Sequence, residues 1–331
     1  MPMLPRRTVL RAPWAALPLL PFAAAAQEAW PRATLRIIVP FAPGGATDIA
    51  ARVLAPALAA ELGRSVVVEN RPGGGGVVAA EAVARATDGH TLFLTSGSTQ
   101  SVAPALFPNL RYDPVGDMAP LSFMARVPHV LVVAPRLGAG SIAALVARLR
   151  AEPGRHNFAT SGVGSLPHLA GELFRQQAGV EVTPVTYRGS APAITALLQG
   201  ECSYLIDSIP STIGQIQDGS LLALGAGTRQ RIALRPEIPT IAEQGQGSPL
   251  ADFESYTWVA LYSTAGLPPA ALSLAAAATA RALRQPELQR RYAGLGMEIV
   301  AGGPERLAAV QQAEFEKWGA VIRRARITPE G

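Results

Sequence analysis

Three segments of this sequence mix glycine with hydroxyl side chains: Pro40-Phe41-Ala42-Pro43-Gly44-Gly45-Ala46-Thr47-Asp48, Thr95-Ser96-Gly97-Ser98-Thr99 and Thr160-Ser161-Gly162-Val163-Gly164-Ser165. Glycine lets a backbone approach a ligand closely. The start of a helix offers free N–H groups and the positive end of its dipole, and serine and threonine add rotatable donors. The chemistry this composition suits is capture of a small anion, such as a carboxylate, by neutral donors. Asp48 is the one charged residue in the three segments. It and Thr47 also have the type of a helix N-cap, and for Asp48 both readings stand.

Other chemistries find less support. Ser165 and His168 lie three apart and Asp207 completes a triad on paper, which leaves an exported hydrolase as the alternative reading; sequence proximity does not supply triad geometry. Gly74-x-Gly76-x-x-Ala79 has the form of a dinucleotide fingerprint, but it does not follow the first strand, where that motif belongs. There is no Gly-x-Ser-x-Gly elbow, and Lys317 is the sole lysine, which excludes a phosphate loop ending in Gly-Lys. His90, His129, His156 and His168 are isolated from one another, and the lone Cys202 permits neither a disulfide nor a cysteine-based metal site. Three further side chains have two readings each. His168 donates to a ligand or braces its loop; Arg188 pairs with a distal carboxylate or is solvated; Asp207 accepts from a ligand amino or hydroxyl group or caps the next helix.

The elements that must position these loops alternate. Strand-like runs at 35–39, 65–69 and 91–95 are separated by helical patterns at 47–62 and 77–86, with a short helix at 99–107. The pattern restarts with strands at 130–134, 157–159, 182–185, 204–207 and 221–225 and helices at 142–151, 167–177, 191–199 and 211–218. A strand at 256–262 and two helical segments from 269 to about 324 follow. This is an α/β chain with mostly parallel sheet. The loops then fall at the carboxyl ends of strands, where open α/β sheets bind ligands. The runs 129–135 and 256–263 are candidates for two strands crossing between two lobes.

The first 26 residues carry Arg6, Arg7 and Arg11 without an acid, then an apolar run ending in Ala24-Ala25-Ala26. That is the pattern of an export signal, by the general secretory or the twin-arginine route. The formal net charge is +5, and loss of the three leader arginines brings it to +2. The remaining arginines are scattered, so no basic footprint for nucleic acid exists.

Ile37-Ile38-Val39-Pro40-Phe41-Ala42-Pro43-Gly44-Gly45-Ala46-Thr47-Asp48 closely resembles the opening motif of the Bug-type extracytoplasmic receptors of tripartite tricarboxylate transporters. Val68-Glu69-Asn70-Arg71-Pro72-Gly73, Gly164-Ser165-Leu166-Pro167-His168, Tyr187-Arg188-Gly189-Ser190-Ala191-Pro192 and Pro239-Thr240-Ile241-Ala242-Glu243 are similar to the same family, in order along the chain. The resemblance implies a type II periplasmic-binding-protein fold, two lobes joined by a two-strand hinge with the cleft between them. It implies a monomer in the periplasm that hands a small carboxylate to membrane permease subunits. Lobe 1 is expected over 27–128 plus 257–331 and lobe 2 over 129–256. Gly44, Gly45, Ala46, Thr47, Asp48, Ser98, Thr99, Ser161, Gly162, Gly164, Ser165, His168, Tyr187, Arg188, Gly189 and Asp207 are the expected ligand contacts, with no catalytic residue, cofactor or metal. His90, Gln100 and Ala260 depart from the family pattern; with Asp207, Gln100 is where ligand identity is open to tuning.

Overall fold

A computed structural model describes Met1 and residues 30–329; the expected export signal lies outside the described residues. Ten strands run β1 Leu35–Val39, β2 Val66–Asn70, β3 Thr91–Ser96, β4 Met118–Val133, β5 His156–Thr160, β6 Val182–Thr186, β7 Tyr204–Ser208, β8 Leu222–Ala226, β9 Tyr256–Thr264 and β10 Glu298–Gly302. The helices are α1 Ala46–Leu62, α2 Val77–Ala84, α3 Ala103–Leu106, α4 Ile142–Ala151, α5 Leu166–Ala178, α6 Ser190–Gln199, α7 Ile209–Gln217, α8 Ile241–Gln244, α9 Pro269–Arg284, α10 Pro286–Gly294 and α11 Pro304–Ala325.

Strand order is β2-β1-β3-β9-β4-β7-β5-β6, with β10 and β8 also on β4. The β1–β2, β1–β3, β5–β6 and β5–β7 pairs are parallel. Runs such as Leu-Arg-Ile-Ile-Val, buried on both faces, form parallel strands because helices cover both sides of the sheet. One core packs β1, β3 and β9 under α1 and α9 through Ile37, Leu54, Leu94 and Ala278. A separate one packs Leu131, Phe158, Phe174 and Tyr204. These are the two lobes of a periplasmic-binding fold.

The long β4 differs from the expectation. Pro120, Pro128 and two register shifts, at Pro120/Ser122 and Phe123/Ala125, break the alternation over 118–128 and hide the strand from any local pattern. It is one 16-residue strand whose first part pairs with β9 and whose end, 129–133, pairs with β7 and β8. The pairing of β4 thus passes from β9 to β7 and β8 at Pro128-His129, where β9 begins with Tyr256 opposite Pro128. β10 is a second element absent from the expectation. Its five residues include Ala301 at φ 47° and a register shift against β4, so no period marks it. Three helices, not two, follow β9, because Pro286 ends α9 and starts α10. The segment read as a helix at 99–107 is a wide π turn over Ser98–Val102 followed by the short α3.

His129 sits at this change of partner and is fully buried. Its Nδ1 lies 2.7 Å from Ser255 Oγ and its Nε2 2.8 Å from Thr257 Oγ1, so one imidazole ties β4 to both residues flanking Tyr256. Burial, helped by the charge of Lys317, lowers its pKa to about 3, which keeps the ring neutral.

Candidate functional site

Four helices begin at one place between the lobes. α1 starts after Gly45, α5 after Ser165, α6 after Gly189 and α7 after Ser208. Each of these residues lines a small cavity of about 50 Å³. Three of the four helix starts, at Gly45, Gly189 and Ser208, have no side-chain cap. Their first-turn N–H groups lack side-chain acceptors, and their dipoles point positive ends at one spot. The fourth is capped by Ser165, whose Oγ accepts the His168 N–H at 3.2 Å.

The opening segment folds as it does because Asp48 braces it from behind. Its Oδ2 accepts the Gly44 N–H at 3.0 Å, and its Oδ1 accepts from Arg52 Nε and Asn70 Nδ2, each at 2.9 Å. Asn70 also donates to Phe41 O at 2.9 Å. Burial works against the charged form of Asp48, but Arg52, Gly44 and Asn70 together hold its pKa below the ordinary value. Gly45, not Thr47 or Asp48, is the N-cap of α1. Gly44, at φ 89°, takes a left-handed turn that a side chain would strain, and its carbonyl accepts from Ser211 Oγ of the other lobe at 3.1 Å. Ser98 makes a second bridge, its Oγ accepting Leu166 N–H at 2.9 Å. The lobes are thus closed on each other.

Of the residues singled out in the sequence, Gly45, Ala46, Thr47, Ser98, Ser161, Ser165, Gly189 and Asp207 line the inner cavity. Gly162, Tyr187 and Arg188 line a larger outer cavity of about 520 Å³. The two share Phe41, Ala42, Ser161, Ser165 and Gly189, so they are neighbours. Gly44, Asp48, Thr99, Gly164 and His168 line neither. Thr99 is buried with Oγ1 donating to Gly75 O at 3.4 Å. His168 Nδ1 accepts the Gly164 N–H at 3.2 Å, and burial lowers its pKa to about 4. Its Nδ1 thus braces the loop.

Tyr187 donates to Glu201 Oε2 at 3.1 Å. Asp207, buried at the end of β7, accepts from Ser208 N and Oγ through Oδ1. Of the other lining residues, Ser96 lies in the second glycine and hydroxyl segment and Pro167 and Ser190 in the family motifs, whereas sequence reasoning did not single out Ser208 and Thr257. Ser208 follows Asp207 and is findable as a helix start. Thr257 carries no local signal, since β9 reaches the cleft only through its pairing with β4.

The paper triad does not assemble. Ser165 Oγ engages the backbone N–H of His168, the imidazole engages Gly164, and Asp207 engages Ser208. An imidazole with a pKa near 4 is also a poor general base at neutral pH. Among the described residues no group of three or more His, Cys, Asp or Glu side chains is placed to hold a metal. No helix among them is long and apolar enough to cross a membrane.

A closed two-lobe α/β fold with a donor-lined interlobe cleft defines the class of periplasmic-type binding proteins. Residues 50–327 match the model of the tripartite tricarboxylate transporter family receptor, and the chain belongs to that family of Bug-type receptors. Protein BugT of Bordetella pertussis is 36% identical over 298 residues, covering 89% of this chain and 90% of that protein. An R. palustris structure, Rpa4515 with adipate, is 31% identical with a TM-score of 0.86, covering 91% of this chain and 99% of that one. MatC from Rhodopseudomonas palustris with bound malate is 31% identical with a TM-score of 0.80, covering 88% and 100%.

Proposed function

We propose that this chain is a periplasmic receptor that captures a small carboxylate in the inner cavity and delivers it to the membrane permease of a tripartite transporter. The observation that carries this reading is the meeting of four helix N-termini, three of them uncapped, on a cavity lined by no cationic side chain. Neutral N–H groups and hydroxyls there match one anionic head group. At about 50 Å³, the inner cavity suits a carboxylate and the atoms next to it, or a carboxylate's bridging waters. The remainder of a longer ligand extends into the outer cavity, where Arg188 and Gly162 are at hand. The adipate and malate named for two relatives support a carboxylate as the head group.

In this reading Gly45, Ala46, Thr47, Ser161 and Ser165 hold the carboxylate. Gly44 and Asp48 shape its loop, and the lobes, 27–128 with 257–331 and 129–256, close about the crossings at His129 and Ser255 as a monomer. Residues 1–26 act as the export signal. The test is isothermal titration with citrate, malate, adipate and aromatic acids, each beside its primary amide. At least one acid binds with a Kd at or below the micromolar range, and its amide binds at least 100-fold more weakly, about 2.7 kcal/mol. Equal binding of acid and amide, or no heat from any acid, overturns the reading.

A further inference from the structure

Asp207 is the one ionisable side chain lining the inner cavity. It is 1% exposed, and only half of its carboxylate is satisfied. Oδ1 accepts the Ser208 N–H at 2.6 Å and the Ser208 hydroxyl at 3.2 Å. Oδ2 is buried without a hydrogen-bond partner. Burial raises the pKa of the group to about 6, against the opposing pull of Ser208 and Ser190. No cation in the cavity lining offsets it. A buried carboxylate oxygen left without a hydrogen bond is costly; the Ser190 hydroxyl is near enough to pull on the group but does not meet Oδ2 in hydrogen-bond geometry. The same cavity presents helix N-termini suited to an anion, so it combines an anion cradle with one hard acceptor.

Resting on the carboxylate reading above, we infer that Asp207 selects ligands carrying a hydroxyl or ammonium group beside the bound carboxylate, whose proton the unpaired Oδ2 accepts. The size of the cavity sets the spacing. Carboxylate and donor share about 50 Å³, so the donor sits on the carbon next to the carboxylate or the one after it. The ligand class is therefore a 2- or 3-substituted hydroxy or amino acid. A carboxylate without such a donor leaves Oδ2 buried and unanswered, and a second carboxylate at that spacing meets like charge.

Two matched sets test this: succinate, malate and aspartate, and propanoate, lactate and alanine, titrated into wild-type protein, Asp207→Asn and Asp207→Leu, with folding checked by circular dichroism. In wild type the hydroxy or amino member of a set binds at least 30-fold more tightly than the plain acid. In Asp207→Leu that preference collapses to less than about threefold while the plain acid still binds. Asp207→Asn, which keeps an acceptor but not the charge, separates the two donors: an ammonium ligand loses most of its advantage there, a hydroxyl ligand only part. If the plain acid binds as tightly as its substituted partners, or the preference survives in Asp207→Leu, the inference is wrong and the carboxylate reading stands. If no member of either set binds wild type, the inference is wrong, and the titrations with citrate, adipate and aromatic acids decide the carboxylate reading separately.

Discussion

Gly45→Leu abolishes capture while leaving the fold intact. Gly45 is the N-cap of α1 with φ −85° and ψ 167°, a backbone any residue adopts. A Cβ there meets only the Ala42 carbonyl and the Ser190 hydroxyl, each at 3.9 Å. The backbone accepts the change and the space for Cβ exists. The three carbons beyond Cβ extend toward Ser190 Oγ, across the cavity that Gly45 and Ser190 both line. That cavity of about 50 Å³ is the whole of the proposed head-group site. The expected result is at least a 100-fold loss of carboxylate affinity, about 2.7 kcal/mol, with a melting temperature within about 2 °C of wild type. Gly45→Ala, whose methyl fits at ordinary contact distance, loses less than about tenfold. Titration calorimetry and thermal unfolding read both. Undiminished binding by the leucine variant places the carboxylate elsewhere.

The second large effect is on stability, at the point where β4 changes partners. His129→Ala is expected to cost about 3–5 kcal/mol, from the cavity left by a fully buried ring and from two buried hydroxyls stripped of their partner. The Ser255 and Thr257 hydroxyls are those two groups. The sign of the pH dependence follows from the lowered pKa of about 3. The unfolded chain takes up the proton near the ordinary value of 6.5 and the folded chain resists it. The stability from neutral His129 is thus complete above pH 6.5 and is lost as pH falls from there toward 3. His168, lowered to about 4 by burial, acts in the same direction in the same window. Wild-type melting temperature should be flat between pH 7 and 8 and fall progressively below 6.5. In His129→Gln, which retains hydrogen-bonding ability without the titration, the loss of unfolding free energy between pH 7.5 and 5 is smaller by about 2 kcal/mol. Chemical denaturation at pH 7.5 and 5 checks it. An equal acid slope in both proteins contradicts the assignment. Thr257 lines the cavity, so the same imidazole that joins β4 to the start of β9 also fixes a cleft hydroxyl.

The parallel strands and the loops at their carboxyl ends were legible because each carries its own local signal. Leu-Arg-Ile-Ile-Val is buried on both faces, and glycine with hydroxyl residues marks the turn into the next helix. β4 was half hidden because two prolines and two register shifts erase its period, and its continuity depends on β9, far away in sequence. Asp48 shows the limit for single residues. Its type and place fit a ligand contact or an N-cap, and only the folded positions of Asn70 and Arg52 reveal a brace. His168 is similar, since its ring finds Gly164 four residues back. Ser190, Ser208 and Thr257 reach the cavity from three different elements. Their convergence is a property of the sheet order, which no local pattern encodes.

The central claim is that an anionic head group sits among the four helix N-termini. A crystal structure of the protein with the tightest-binding acid from the titrations tests it most directly. The predicted result places the carboxylate oxygens about 3 Å from the N–H groups after Gly45 and the hydroxyls of Ser161 and Ser165, directly or through one ordered water. A carboxylate seated instead on Arg188 in the outer cavity, with the inner cavity holding no part of the ligand, contradicts it.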